Sequence, residues 1–150
     1  MPAQTKTFTY TVSLTRERDR DATVRAGDRA PVPVAPPEDF PAGDGRRWSP
    51  EHLFLGSLQS CTMHAFLAHA EHNGVSVQGY ESYAEGTIMR RAEDGRYAFV
   101  FVRQRPVVTV RPGQRDAARA IVGKAERDCF ISASTNAELQ VDWEIRESDG

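Results

Sequence analysis

The chain has 150 residues, 39% of them hydrophobic, and a formal net charge of -2 at pH 7. This length and apolar fraction predict one globular domain, residues 1–150, with a single core. The basic residues are scattered and the net charge is slightly negative, so we expect no nucleic-acid partner. The first residues lack the apolar core of a signal peptide, and we therefore expect a cytoplasmic location.

The N-terminal third has the pattern of short strands and loops. Apolar and polar residues alternate from residue 8 to residue 14, which predicts a half-buried strand. A charged turn follows at residues 16–21, and then two short extended segments at 23–25 and 30–34. Residues 35–48 are rich in proline and glycine, and we expect a surface loop there.

A long helix is predicted next. Ser49 can cap its first N–H groups, Pro50 suits the first helical position, and Gly74 provides a stop. No Asp, Glu, Lys or Arg occurs from Leu53 to Ala70, so we expect this helix to be buried nearly all round. Polar residues interrupt the run, and a membrane span is therefore not expected.

The C-terminal half predicts a hairpin, a second helix and a last strand. Two strands, 75–91 and 97–110, flank a turn at 93–95, and the second strand is apolar on both faces, which is typical of a central strand. A helix over 114–128 has an apolar stripe that continues to Cys129. Residues 139–145 alternate again and predict the final strand. This order of elements predicts an α+β fold.

The two cysteines of the chain occupy distinctive places. Cys61 lies inside the uncharged helix, and Cys129 lies where the second helix is expected to end. A single buried cysteine is more often simple core packing. In a reducing compartment a pair placed in this way suggests redox chemistry. The three nearby histidines, His64, His69 and His72, do not have the spacing of a recognised zinc site, and we predict no metal and no bound cofactor.

Two motifs resemble one known family. Residues 49–53, Ser-Pro-Glu-His-Leu, are followed by a cysteine ten residues after Glu51, and residues 126–129 read Glu-Arg-Asp-Cys before the last strand. Together they resemble the OsmC/Ohr family of bacterial thiol peroxidases for hydroperoxides, over roughly residues 5–146. Thr62-Met63 is more similar to the OsmC branch, and Phe130 replaces a usual proline. The resemblance implies antiparallel sheets wrapped around a long buried central helix plus a second helix, in an intertwined homodimer.

The resemblance also implies roles for particular residues. Cys61 matches the peroxidatic cysteine, Cys129 the resolving cysteine, and Glu51 the carboxylate that orients an active-site arginine. In the Ohr branch this arginine lies in a Gly-Arg-Asp-Gly turn, which matches residues 17–20 here, Glu-Arg-Asp-Arg. Arg18 is thus the first candidate. Both flanking glycines are missing, and the alternatives are Arg20, Arg46 and Arg47.

The implied chemistry is physically coherent. An arginine would favour the thiolate of Cys61, and Glu51 could hold the guanidinium by a bidentate ion pair. Attack on an organic hydroperoxide, or on hydrogen peroxide as a second candidate, would give a sulfenic acid that condenses with Cys129 to a disulfide. A thiol or dithiol reductant, for example of the lipoyl type, would reopen it. The alternative is a noncatalytic protein of this fold that binds a small apolar or acyl ligand.

Helix geometry leads to one prediction about assembly. Ten residues of helix separate Glu51 from Cys61 by about 15 Å, too far for both to touch one peroxide. Either the arginine bridges this gap, or Glu51 reaches Cys61 of a second subunit across a two-fold axis. The absence of a charged helix face favours the second arrangement. We therefore predict a homodimer with its sites at the interface.

Overall fold

The computed structural model describes residues 5–150. The chain divides into two compact units, one that ends at Leu53 and one that comprises Phe54–Gly150. Each unit has a sheet of its own. The expectation of one domain over the whole chain stays a prediction.

The sheet of the N-terminal unit has three antiparallel strands in the order β1-β2-β3. They are β1 (Ser13–Arg18), β2 (Asp21–Arg25) and β3 (Val32–Val34). Both predicted short extended segments are thus confirmed. The loop over residues 35–48 is confirmed too, apart from an isolated parallel bridge between Val34 and Trp48.

The predicted strand over residues 8–14 is wrong in its bounds and in its burial. Residues 5–12 have no regular secondary structure, and strand β1 starts only at Ser13. The side chains of the alternating apolar set are between 64% and 83% exposed; the set is Phe8, Tyr10, Val12 and Leu14. An alternating pattern predicts that one face is covered, and no part of the described chain covers this face.

Helix α1 (Pro50–His72) starts and ends where the sequence predicts. The hydroxyl oxygen of Ser49 accepts a hydrogen bond from the His52 N–H at 3.2 Å, and Nδ1 of His52 accepts one from the Ser49 N–H at 3.1 Å. This reciprocal pair is a capping box in which a histidine takes the usual place of Glu or Gln. At the other end Gly74 adopts a φ of +69°, which closes the helix.

Burial of α1 on all sides is a wrong prediction for the single chain. One stripe at intervals of four residues is fully buried, and it consists of Leu58, Thr62, Phe66 and Ala70. Ser60, His64 and Ala68 are exposed. Within the C-terminal unit the stripe packs against the sheet, and a sheet covers only one face of a helix. The opposite face remains open although it carries no charge.

The sheet of the C-terminal unit is built around one central strand. Strands β4 (Val77–Arg90) and β5 (Tyr97–Val110) form the predicted antiparallel hairpin. The predicted last strand is divided into β6 (Glu138–Val141) and β7 (Glu144–Glu147). Both pair parallel to the other edge of β5, so this sheet is mixed and not wholly antiparallel. The α+β class and the central position of β5 are confirmed.

The predicted second helix is divided into shorter pieces. These are α2 (Arg115–Arg119), α3 (Val122–Asp128) and α4 (Phe130–Ala133). Ile121 lies between α2 and α3, is only 3% exposed and takes φ -103° and ψ -4°, so the backbone departs from regular helix geometry at this residue. Cys129 joins α3 to α4 in an extended conformation, at a helix end as predicted. In the part of the chain that the structure describes, no helix combines the length and apolar character needed to cross a membrane.

Candidate functional site

The two cysteines meet in the C-terminal unit. Cys61 lies on α1 and packs against the core cluster that contains Cys129, which lies at the junction of α3 and α4. Both are free thiols, and each shifts the pKa of the other. Cys61 is partly exposed, whereas Cys129 is only 1% exposed. The structure therefore brings together two residues that are far apart in the sequence and gives their sulfur atoms different access to solvent.

The sulfur of Cys129 is surrounded by hydrogen-bond donors. The main-chain N–H of Ser132 points to it at 3.4 Å, and Thr62 Oγ1 lies 3.7 Å away. The Thr62 hydroxyl can also donate to the Leu58 carbonyl at 2.9 Å, so its one hydrogen serves two acceptors. Burial raises the pKa of the Cys129 thiol, but the donors from Ser132, Cys61 and Thr62 outweigh it and leave the pKa lowered.

The thiol of Cys61 is affected in the opposite direction. Burial raises its pKa, and the neighbouring Cys129 raises it further. The main-chain N–H groups of Ile131 and Phe130 act against this without reversing it. Within the pair, the surrounding donors favour the thiolate at Cys129 over the thiolate at Cys61.

Cys61 opens onto a cleft of about 800 Å³, which Cys129 does not line. Ala65, Ala68, Phe130 and Ile131 contribute apolar walls, and His64 is a polar neighbour on α1. This volume falls in the range of small-molecule sites. The cleft can therefore bring an apolar compound to the sulfur of Cys61.

A hydrogen bond between a histidine and a carboxylate lies at the edge of the same cleft. His69 Nε2 is 2.7 Å from Asp128 Oδ2. Hydrogen bonds from Arg127 and then from His69 lower the pKa of Asp128 to about 2. This contact links α1 to the residue that precedes Cys129. Among residues 5–150, no group of three or more His, Cys, Asp or Glu side chains is arranged to hold a metal ion.

Glu51 belongs to the N-terminal unit, in the first turn of α1. One oxygen of its carboxylate, Oε2, is buried and has no hydrogen-bond partner in the described chain. A buried carboxylate oxygen without a donor is costly, so the position is suited to a cationic partner that the single chain does not supply. Glu51 lines an apolar cavity of about 480 Å³ together with Arg16 and Arg20.

The four arginines weighed from the sequence have different surroundings. Arg18 is exposed at the end of β1, and Arg46 is exposed in the loop. Arg47 is already paired, with Glu17 at 3.4 Å and with two further carboxylates at 3.9 Å. Arg20 donates to the Pro41 carbonyl at 3.2 Å, and it alone of the four shares the cavity with Glu51.

Sequence reasoning missed three residues of this arrangement: Arg16, Thr62 and Ser132. Arg16 is two residues beyond Leu14 on β1, and this alternation could have placed both on one face. Ser132 lies three residues after Cys129. This is the usual spacing between a residue that caps the start of a helix and the residue whose N–H it accepts. No pattern in the sequence would have brought Thr62 to Cys129.

The chain is similar to one known protein family and to solved structures. The model of the family described as OsmC-like protein matches residues 43–144. An OsmC-like protein of unknown function from Vibrio cholerae has a similar structure, with TM-score 0.82 and 20% identity over 91% of this chain and 99% of that one. No curated protein matches the sequence.

Two other similar structures carry a functional name. The organic hydroperoxide resistance protein of Elizabethkingia anophelis has TM-score 0.69 and 16% identity, over 95% of this chain and 100% of that one. That of Bacillus subtilis has TM-score 0.62 and 20% identity, over 93% of this chain and 98% of that one. At these identities the likeness is one of fold.

Proposed function

Since the chain belongs to the OsmC-like protein family, we propose that it is a thiol-dependent peroxidase that reduces organic hydroperoxides. The observation that carries this proposal is the neighbouring pair of free thiols, of which Cys61 alone faces an apolar cleft. The names of the Elizabethkingia and Bacillus proteins support it at the level of the family. Hydrogen peroxide is a second candidate substrate.

The chemical steps follow from the positions of the two sulfur atoms. Cys129, whose pKa is lowered by the donors around it, accepts the proton of the neighbouring Cys61, and the Cys61 thiolate attacks the nearer peroxide oxygen. The O–O bond breaks, the alkoxide takes the proton that Cys129 accepted and leaves as an alcohol, and Cys61 becomes a sulfenic acid. The Cys129 thiolate restored in this way attacks the Cys61 sulfur and the S–O bond breaks. The departing hydroxide takes a proton from solvent to become water, and a disulfide remains. A thiol or dithiol reductant completes the cycle.

We further propose that the working form is a homodimer. The two cysteines lie in one compact unit and Glu51 in the other, and both Glu51 and Cys61 belong to the continuous helix Pro50–His72. Ten residues of helix rise about 15 Å, so Glu51 of one copy is better placed to serve Cys61 of a second copy. The unpartnered Oε2 of Glu51 and the exposed apolar side chains of residues 8–14 support this assembly.

In this assembly an arginine would connect the two halves of the site. The resemblance to the family implies Arg18, which is exposed and free to reach another molecule. The cavity that Arg20 shares with Glu51 supports Arg20 instead. A guanidinium held by Glu51 would point two or more donors toward the Cys61 sulfur and the peroxide.

The second candidate function is binding of a small apolar or acyl ligand without catalysis. The two apolar cavities, of about 480 Å³ and 800 Å³, favour it because each is large enough for such a ligand. Peroxide consumption coupled to dithiothreitol or dihydrolipoamide distinguishes the two functions. Wild-type protein that is no faster than Cys61→Ser would refute the peroxidase proposal.

A further inference from the structure

Resting on the proposed peroxidase cycle, we infer that the reductant opens the disulfide at the sulfur of Cys61 and that Cys129 is the leaving thiolate. In the second half of the cycle the two sulfur atoms of the disulfide are chemically equivalent until the protein distinguishes them. Two independent features of the structure make that distinction: access from outside, and the donors around each sulfur.

Access favours attack on Cys61. Thiol–disulfide exchange requires the incoming thiolate to approach one sulfur along the S–S axis, so an accessible sulfur is attacked first. Cys61 lines the 800 Å³ cleft, whereas Cys129 is 1% exposed and packs with Leu58 and Val102 in a small core cluster. An attacking thiolate therefore reaches the Cys61 sulfur without any rearrangement of that cluster.

The donors favour the departure of Cys129. The leaving sulfur takes the electron pair of the broken bond, and exchange is faster when that thiolate is stabilised. The Ser132 N–H already points at the Cys129 sulfur at 3.4 Å. The Thr62 oxygen lies 3.7 Å from the same sulfur, and its hydrogen can turn from the Leu58 carbonyl toward the thiolate. The N–H belongs to the folded framework and the hydroxyl needs only a rotation, so the negative charge is received with little reorganisation.

The exchange balances in two steps. In the first, one thiolate of a dithiol reductant bonds to the Cys61 sulfur, the Cys61–Cys129 bond breaks, and Cys129 leaves as a thiolate. In the second, the other thiolate of the reductant attacks the reductant's own sulfur in the mixed disulfide. The reductant closes to a cyclic disulfide, and Cys61 leaves as a thiolate that takes up a proton. The product is the reduced pair that the structure contains.

The experiment identifies the cysteine that receives the reductant. Wild-type protein is oxidised with diamide, reacted briefly with 2-mercaptoethanol, quenched in acid, and alkylated with N-ethylmaleimide in denaturant before peptide mass spectrometry. We expect the mercaptoethanol adduct on Cys61 and the maleimide on Cys129, in excess of the reverse pattern by about ten-fold or more. An adduct that is equally frequent or more frequent on Cys129 overturns the inference, as does failure of diamide to form the disulfide.

A pair of variants tests the part played by the donors. Thr62→Val removes the hydroxyl at nearly constant shape, and Thr62→Ser keeps it. We expect Thr62→Val to shift the equilibrium with a dithiol toward the protein disulfide by about ten-fold, which corresponds to a reduction potential lower by about 30 mV. We expect Thr62→Ser to keep most of the wild-type potential. Equal potentials for the three proteins would contradict the stabilisation of the leaving thiolate.

Diamide keeps this test separate from the proposed function. The disulfide is made without any peroxide, so the order of opening can be measured in a protein that proves inactive toward hydroperoxides. A protein that consumes no peroxide, yet is opened at Cys61, would refute the peroxidase proposal alone.

Discussion

The hydroxyl of Thr62 lies 3.7 Å from the sulfur of Cys129, although 67 positions separate the two residues in the chain. Thr62 follows Cys61 directly on α1 and belongs to the buried stripe of that helix. The same helical turn therefore presents one thiol to a cleft and a donor to the other thiol. This contact is the structural basis for treating the two cysteines as unequal.

The inequality predicts two separate ionisation steps. Absorbance of the thiolate near 240 nm, followed against pH, should show one step below the ordinary cysteine pKa of about 8.5 and a second step above it. The donors around Cys129 account for the first step, and burial together with the charge on Cys129 accounts for the second. A macroscopic step belongs to the coupled pair, so its assignment needs a variant.

Thr62→Val provides that assignment. Loss of the hydroxyl should move the first step to higher pH, because a donor to the thiolate has been removed. The Cys61→Ser variant should retain a single step below the ordinary value, and Cys129→Ser should not. Two overlapping steps near the ordinary value in the wild type would contradict unequal thiols.

We expect Glu51 to support activity by holding an arginine in an ion pair, and not by stabilising helix α1. We expect Glu51→Gln to lower kcat/KM for an organic hydroperoxide by about ten-fold or more, because a neutral amide holds a guanidinium less firmly. Glu71→Gln, which changes an exposed glutamate near the other end of α1, is the matched control and should change little.

The same assay locates the arginine. Arg18→Lys and Arg20→Lys each keep the charge and lose the bidentate fork, so the larger loss of kcat/KM should identify the residue that Glu51 holds. An unchanged rate in Glu51→Gln together with both arginine variants would contradict the proposed ion pair.

Much of the fold follows from local sequence patterns. The ends of α1 were predictable because Ser49, Pro50 and Gly74 act on the backbone next to them. The hairpin of β4 and β5 was predictable for the same reason. Two predictions that local patterns favoured were wrong. The helix over 114–128 is interrupted at Ile121, and the final strand is divided into two pieces that both pair parallel to β5.

The candidate site was also predictable only in part. The two cysteines and Glu51 can be picked out by their spacing, and the structure brings the cysteines together. Their pKa directions depend on Ser132 and Thr62, whose orientation is set by the packing of α4 and α1. Sequence spacing does not identify the arginine that Glu51 would hold. Arg16 and Arg20 share a cavity with Glu51, whereas Arg18 does not line it.

A glycine on β4 tests the packing beneath the site. A Cβ at Gly86 would lie 2.6 Å from a ring carbon of Phe99 and 2.9 Å from a methyl group of Leu55. Phe99 stacks on Phe54 at 4.7 Å between ring centroids, so the ring has little freedom to yield. We expect Gly86→Ala to lower the free energy of unfolding by about 1–3 kcal/mol in denaturant titrations.

The matched control for this change lies on the same strand. A Cβ at Gly79 would meet only Thr109, at 3.6 Å and 3.7 Å, which is ordinary contact. Gly79→Ala should therefore leave stability nearly unchanged or raise it slightly. A loss as large as that of Gly86→Ala would mean that the overlap with Phe99 is not the cause.

Assembly is tested at the exposed N-terminal segment. Light scattering should give the wild type twice the 16.7 kDa mass of one chain. Val12→Asp places a charge among the exposed apolar side chains and should shift the protein toward monomer. Thr11→Asp changes the neighbouring exposed residue and should not. A wild type that stays monomeric at micromolar concentration would contradict a site completed by a second copy.

The central claim is that Cys61 and Cys129 form one redox pair that turns over a hydroperoxide. The most direct measurement is peptide mass spectrometry after one equivalent of tert-butyl or cumene hydroperoxide, with free thiols alkylated. The account predicts a Cys61–Cys129 disulfide in nearly every chain and none in Cys61→Ser. Two alkylated thiols in the treated wild type, or a sulfinic acid on Cys61 beside an alkylated Cys129, would contradict it.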